Sequence, residues 1–222
     1  MATPQQEVSI LIKTNATTSL FDYNHLVSVV ATEGRREYGP GFNIREEDLP
    51  IIYTLLAYAL RDEAVANLAQ LNLQKGIMLT GPVGCGKTSL MRIIRKLIPD
   101  TFKPVIKSCR DVSGEFSTKG FDTIARYSVN AFHPYSSVPR VYCFDDLGVE
   151  NAVSYKGAKW NVMLEILYAR YEYFISHKMI THITTNLNGN ELEMMYGVRM
   201  RSRMREMFNL ICFEQGTADK RI

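Results

Sequence analysis

The stretch GIMLTGPVGCGKTSLMRIIRKLI, residues 76–98, passes from a short apolar run into a glycine-rich loop and then into an amphipathic helix. Ile77 to Thr80 favours a strand. Gly81-Pro82-Val83-Gly84-Cys85-Gly86-Lys87-Thr88 fills every fixed position of the pattern GxxxxGK[ST]. Glycines there let backbone N–H groups turn inward around phosphate oxygens. Lys87 is placed to reach the β- and γ-phosphates, and the Thr88 hydroxyl to ligate Mg²⁺. Beyond Ser89, Leu90, Ile93, Ile94 and Leu97 share one helical face, with Arg92, Arg95 and Lys96 on the other. The helix N-terminus points its dipole at the phosphates. Residues 81–89 are therefore the candidate nucleotide-binding set, with ATP as ligand. A chance glycine turn would not carry both the strand before and the helix after. The motif specifies a nucleoside triphosphate and leaves open what is done with it.

A site of this kind needs a carboxylate at the end of a neighbouring strand to hold Mg²⁺. RVYCFDDLGVE, 140–150, supplies one. Val141 to Phe144 is apolar at consecutive positions, as a central parallel strand buried on both faces should be. Asp145 follows at its C-terminal edge, where open α/β sheets place ligands. We assign Asp145 to the Mg²⁺ shell. Asp146 is the candidate base or water-orienting group, with Glu150 as an alternative. A further strand runs from about Met179 to Thr185 and is closed by Asn186, whose amide could reach a γ-phosphate or attacking water. The same residues, NLNGN, also read as a plain turn.

Outward from these motifs the chain alternates strand and helix. Residues 104–109 read as a strand, 111–139 as one or two helices, 157–177 as a helix and 208–214 as a last strand. Trp160, Met163, Leu164, Leu167, Tyr171 and Phe174 form a core stripe. Asn43 with Glu46 resembles a capping box opening a helix through about residue 70. The order implies a parallel sheet with helices on both faces. Residues 1–42 form an N-terminal arm with a short helix near 22–33 that could bind a partner, and 43–222 the nucleotide-binding domain. No C-terminal helical lid is expected.

The chain has 222 residues, 46% hydrophobic and 22% charged, with net charge +3. That is ordinary globular composition with no membrane-length apolar run. No secretion signal is expected from the N-terminal residues, and the four cysteines form no CxxC. A zinc site is disfavoured and a cytoplasmic setting expected. All of the net charge lies in 199–222, so nucleic acid is not bound by bulk charge and any contact must use a local patch. Within that segment YGVRMRSRMREM, 196–207, sets arginines at alternate positions. On a helix Arg199 and Arg203 share one face and Arg201 and Arg205 the other.

The P-loop, then DDLG, then TTN, then an arginine helix, is an order that resembles the AAA+ ATPases. It looks most like the helicase-loader branch typified by DnaC and the transposition ATPases typified by IstB, over roughly residues 45–222. The resemblance implies a three-layer P-loop fold and ATP hydrolysis with Mg²⁺. It implies assembly into a ring or spiral whose active sites are shared between subunits. Single-stranded DNA and a replicative helicase, or a transposase, are the implied partners. It makes Arg203 a finger acting on nucleotide bound by a neighbouring subunit, with Arg199 as auxiliary and Arg201 and Arg205 facing solvent or a partner. It also makes Arg221, in TADKRI, a nucleotide contact. The catalytic set is then Lys87, Asp145, Asp146, Asn186, Arg203 and Arg199. Many AAA+ proteins carry Asp-Glu where this chain has Asp145-Asp146, so slow hydrolysis, or a switch that binds ATP without turnover, stays open. A small-molecule P-loop kinase is the other class, disfavoured by the lack of an arginine-rich lid between the late strands. Phe116, Lys119, Phe121, Arg126 and Tyr127 offer a basic and aromatic mixture suited to single strands. A mixed core-and-surface helix explains those residues equally well.

Overall fold

The structure, a computed structural model, describes residues 6, 12, 19–214 and 216–220. Arg221 lies outside them. The chain divides into two compact units, and the division falls inside the glycine-rich loop, between Cys85 and Gly86.

The first unit, Met1–Leu73 with Gly86–Lys103, is helical where described. It contains α1 (Tyr23–Tyr38), α2 (Leu49–Leu60), α3 (Glu63–Leu68) and α4 (Lys87–Arg95). The α2 sequence LPIIYTLLAYAL is apolar almost all round, and Ile51 through Ala59 are buried accordingly. The single helix expected over 43–70 is instead broken. A 3₁₀ turn at Glu46–Asp48 precedes α2, and the Asp48 carboxylate accepts from the Arg45 N–H at 2.9 Å. Arg61 ends α2 in the left-handed region at φ 53°. Asp62 then caps α3 by accepting from the Val65 N–H at 3.2 Å, and also accepts from the Tyr23 hydroxyl at 2.9 Å. The expected helix near 22–33 runs to Tyr38 and is tied to the segment after α4, where Lys96 Nζ meets Glu33 at 3.1 Å and Glu37 at 2.6 Å.

The second unit, Gln74–Cys85 with Pro104–Ile222, carries the sheet. Its strands are β1 (Gly76–Thr80), β2 (Val105–Ser108), β3 (Tyr142–Leu147), β6 (Thr181–Thr185) and β7 (Phe208–Cys212). They lie in the order β2-β3-β6-β1-β7, all parallel. Around it are α5 (Cys109–Lys119), α6 (Phe121–Tyr127), α7 (Val162–His177) and α8 (Gly189–Met207). Met78, Phe144, Ile183 and Phe208 from the strands meet Phe116, Tyr127, Ile166, Leu167, Met200 and Met204 from these helices in one core. Phe116 and Tyr127 are thus core residues, while Arg126 bonds Glu115 at 3.1 Å. The surface suggested for single strands keeps only Phe121 as an exposed ring.

Two features hold the middle of the sheet. His182 Nδ1 accepts the Ile77 N–H at 3.0 Å, and burial beside Arg170 pushes its imidazole down to about 3. Arg170, fully buried, donates to Thr181 Oγ1 at 2.7 Å and to the carbonyls of Tyr127, Arg140 and Ile180 at 2.9, 3.2 and 2.8 Å. A hairpin, β4 (Val153–Tyr155) and β5 (Ala158–Trp160), precedes α7. It takes Trp160 out of the helix expected over 157–177, which begins at Val162 with Asn161 as its cap.

Candidate nucleotide and metal site

The phosphate loop leaves β1 at Thr80. Gly84 and Gly86 sit at φ 81° and 98°, a region that disfavours side chains bearing Cβ, and Gly86 caps α4 at the point where Lys87 begins it. Lys87 is buried. Within the sheet unit the segment after β7 folds back along the loop. The Phe213 N–H donates to the Thr80 carbonyl at 2.8 Å and the Lys220 N–H to the Gly84 carbonyl at 3.1 Å. The Asp219 carboxylate lies where a Cβ on Gly84 would go.

The acidic pair stands at the C-terminal end of β3. Asp145 is buried, and its Oδ1 accepts from the Thr184 hydroxyl at 2.6 Å. The Asp146 N–H donates to the same Thr184 oxygen at 2.9 Å, and Asp146 has φ 57°. Glu150 is buried too. It accepts from the Gly148 N–H at 2.8 Å on Oε2 and from the Tyr196 hydroxyl on Oε1. Burial pushes its carboxyl above the ordinary carboxylate range, with both hydrogen bonds acting in the opposite direction. Both Glu150 oxygens therefore brace the loop after β3. The Asp145 carboxylate is an oxygen donor of the kind a hard cation takes when it completes its shell with phosphate and water. Among the described residues no cluster of three His, Cys, Asp or Glu forms an alternative metal site.

Asn186 follows β6 and lines a cavity of about 560 Å³ within the sheet unit, together with Gly81, Pro82, Leu210, Arg201 and Arg205. The adjoining turn is a true capping box. The Asn188 side chain accepts from the Asn190 and Glu191 N–H groups, and Glu191 accepts from the Asn188 N–H at 2.7 Å.

Helix α8 is interrupted at Gly197, φ 82° and ψ 157°, so the arginines occupy a separate second half. Arg199 is exposed. The Arg203 guanidinium stacks over Tyr171 and Tyr168, at 4.5 and 5.0 Å, and pairs with Glu172 at 3.3 Å. Arg201 pairs with Glu193. Arg205 is exposed, as expected for that face, while Arg201 is half-buried, and both line the cavity beside Asn186. Thr184 and the Glu150–Tyr196 pair escaped sequence reasoning. Their bonds join residues 39 and 46 positions apart, the first brought together by strand register and the second by the packing of a loop on a helix.

No protein-family model matches this chain, and no curated protein does. Solved structures do match. The fold they share with this chain is a central parallel sheet with helices around it. The DnaC helicase loader aligns with TM-score 0.55 and 18% identity, over 81% of this chain and 99% of that one. A primosome component from Streptococcus pyogenes serotype M3 gives TM-score 0.54 at 16% identity, over 78% and 83%. A DNA replication initiation factor gives 0.51 at 18%, over 78% of this chain and 48% of the other. At these identities the likeness is one of fold.

Proposed function

We propose that the chain is a replication-associated AAA+ ATPase that acts as a helicase loader on single-stranded DNA. The observation that carries the ATPase part is one sheet edge. β1 opens the phosphate loop, β6 is followed by Asn186, and β3 carries Asp145 two residues before its end at Leu147, with Thr80 level with Thr185 and Thr185 level with Leu147. In open parallel sheets that edge is where ligands bind.

Lys87 and the loop amides bind the phosphates of ATP. Thr88 and Asp145 hold Mg²⁺, which when bound neutralises charge on the phosphate oxygens. Asp146 orients or deprotonates the attacking water, since Glu150 is committed to Gly148 and Tyr196. Asn186 hydrogen-bonds the γ-phosphate or that water. Arg203 reaches nucleotide on a neighbouring copy, with Arg199 one turn earlier, and the active unit is an oligomer. The helicase assignment rests on the fold likeness and on the motif order. A transposase partner in place of the helicase is its nearest alternative.

The test is the product. Incubation with ATP and Mg²⁺ yields ADP and free phosphate, and Lys87→Ala abolishes the release. A phosphorylated small molecule without free phosphate would make the protein a kinase, and bound ATP that never turns over would make it a switch.

A further inference from the structure

We infer that Thr184, the first residue of TTN, is the positioning residue of the acidic pair. It sets the Asp145 carboxylate for Mg²⁺ and turns Asp146 toward the reaction. The inference rests on the reading of Asp145 as the metal-shell carboxylate. Its basis is a register shift. Phe144 is level with Ile183 and Leu147 with Thr185. Between those pairs β3 has two residues, Asp145 and Asp146, where β6 has one, Thr184. A bulge of this kind re-aims side chains beside active sites.

Thr184 answers both residues of the bulge with a single hydroxyl. A hydroxyl carries one proton and two acceptor positions. Here the proton goes to Asp145 Oδ1 at 2.6 Å, and a lone pair receives the Asp146 N–H at 2.9 Å. The bonds run one way, Asp146 N–H to Thr184 to Asp145, and polarise each other at a position wholly shielded from solvent. The β-branched side chain has few χ1 choices, so the oxygen is fixed by the strand itself. The bond to Oδ1 fixes the carboxylate plane. The bond from the Asp146 amide holds a non-glycine residue at φ 57°, a conformation that costs free energy and that any loss of the bond would relax. The next residue repeats the device: Thr185 Oγ1 donates to the Leu147 carbonyl at 2.6 Å and accepts from the Leu187 N–H at 3.1 Å. The two threonines thus tie the acidic strand end to the strand end that presents Asn186.

The experiment uses the full chain with ADP and Mn²⁺ as a spectroscopic stand-in for Mg²⁺. Free Mn²⁺ is followed by its electron paramagnetic resonance, and ADP affinity is measured separately in EDTA. Thr184→Val, which keeps shape and loses the hydroxyl, should weaken Mn²⁺ binding by about 10- to 100-fold, the usual effect of losing a residue that orients a metal ligand. ADP affinity in EDTA should change by less than about twofold, because the loop residues that bind the phosphates are untouched. Thr184→Ser should restore Mn²⁺ binding. If Thr184→Val does not fold, Thr184→Cys is read in its place and must fall between Val and Ser, since a thiol is a weak donor and acceptor. Wild-type Mn²⁺ affinity in Thr184→Val, or failure of Ser to restore it, overturns the proposal. Asp145→Asn separates the causes. If it weakens Mn²⁺ while Thr184→Val does not, Thr184 alone is misread. If it changes nothing, the metal-shell reading of Asp145 falls and the proposal with it.

Discussion

The Tyr196 hydroxyl donates to the buried Glu150 carboxylate, joining the loop after β3 to the residue just before the break in α8 at Gly197. One end of that link follows the acidic pair, and the other begins the arginine-bearing half-helix. Removing the hydroxyl leaves a buried carboxylate short of a partner, which costs about 1–3 kcal/mol. Tyr196→Phe should lower stability in urea by that amount and should reduce phosphate release more than it reduces nucleotide binding.

Glu150 also sets a pH dependence. Its carboxyl is raised by burial in the folded protein. The fold therefore favours the protonated form. That contribution to stability is fully present below the unfolded carboxylate value of about 4.3 and is lost as pH rises through the higher folded value. Glu150→Gln removes the titration. Urea midpoints taken across this range should show wild type losing stability relative to Glu150→Gln as pH increases.

Arg170 makes four hydrogen bonds to uncharged oxygens and has its guanidinium over Tyr142 and Phe144, at 5.4 and 5.9 Å. Burial lowers it only to about 9, so it stays cationic at neutral pH. Arg170→Met would strand the carbonyls of Tyr127, Arg140 and Ile180. A loss of roughly 3–5 kcal/mol is expected, read as a lower urea midpoint. A variant within about 0.5 kcal/mol of wild type would show that water replaces these bonds.

Asp219 puts a carboxylate against Gly84 of the phosphate loop. Its charge opposes that of a phosphate there. Asp219→Asn should tighten ATP binding by on the order of 1 kcal/mol, about fivefold in Kd. Fluorescent nucleotide titration at two salt concentrations checks both the gain and its screening.

Much of this was readable from the sequence because it is local. All five strands of the sheet were expected near their observed positions. The P-loop and the Asp145 strand end needed only spacing. The hairpin at 153–160 was missed, although Lys156-Gly157, both at positive φ, is a two-residue turn of the kind that closes hairpins. The break at Arg61 was hidden because an arginine in the left-handed region carries no sequence signal. Asp62, read as an N-cap, would have located it. Arg201 and Arg205 were placed correctly on one face, but which face meets the cavity depends on the kink at Gly197. Thr184 lies within TTN, but its role was hidden because its partners come from another strand.

The most direct measurement concerns Arg203, held over Tyr168 and Tyr171 of α7 and still partly exposed. Lys87→Ala and Arg203→Ala, each shown to be folded by thermal melt, are assayed for phosphate release with single-stranded DNA, alone and mixed in equal amounts. A shared site predicts two inactive variants and recovered release in the mixture, where an intact phosphate loop from one meets an intact Arg203 from the other. A mixture that stays inactive beside an active wild type, or full activity in Arg203→Ala alone, contradicts the account.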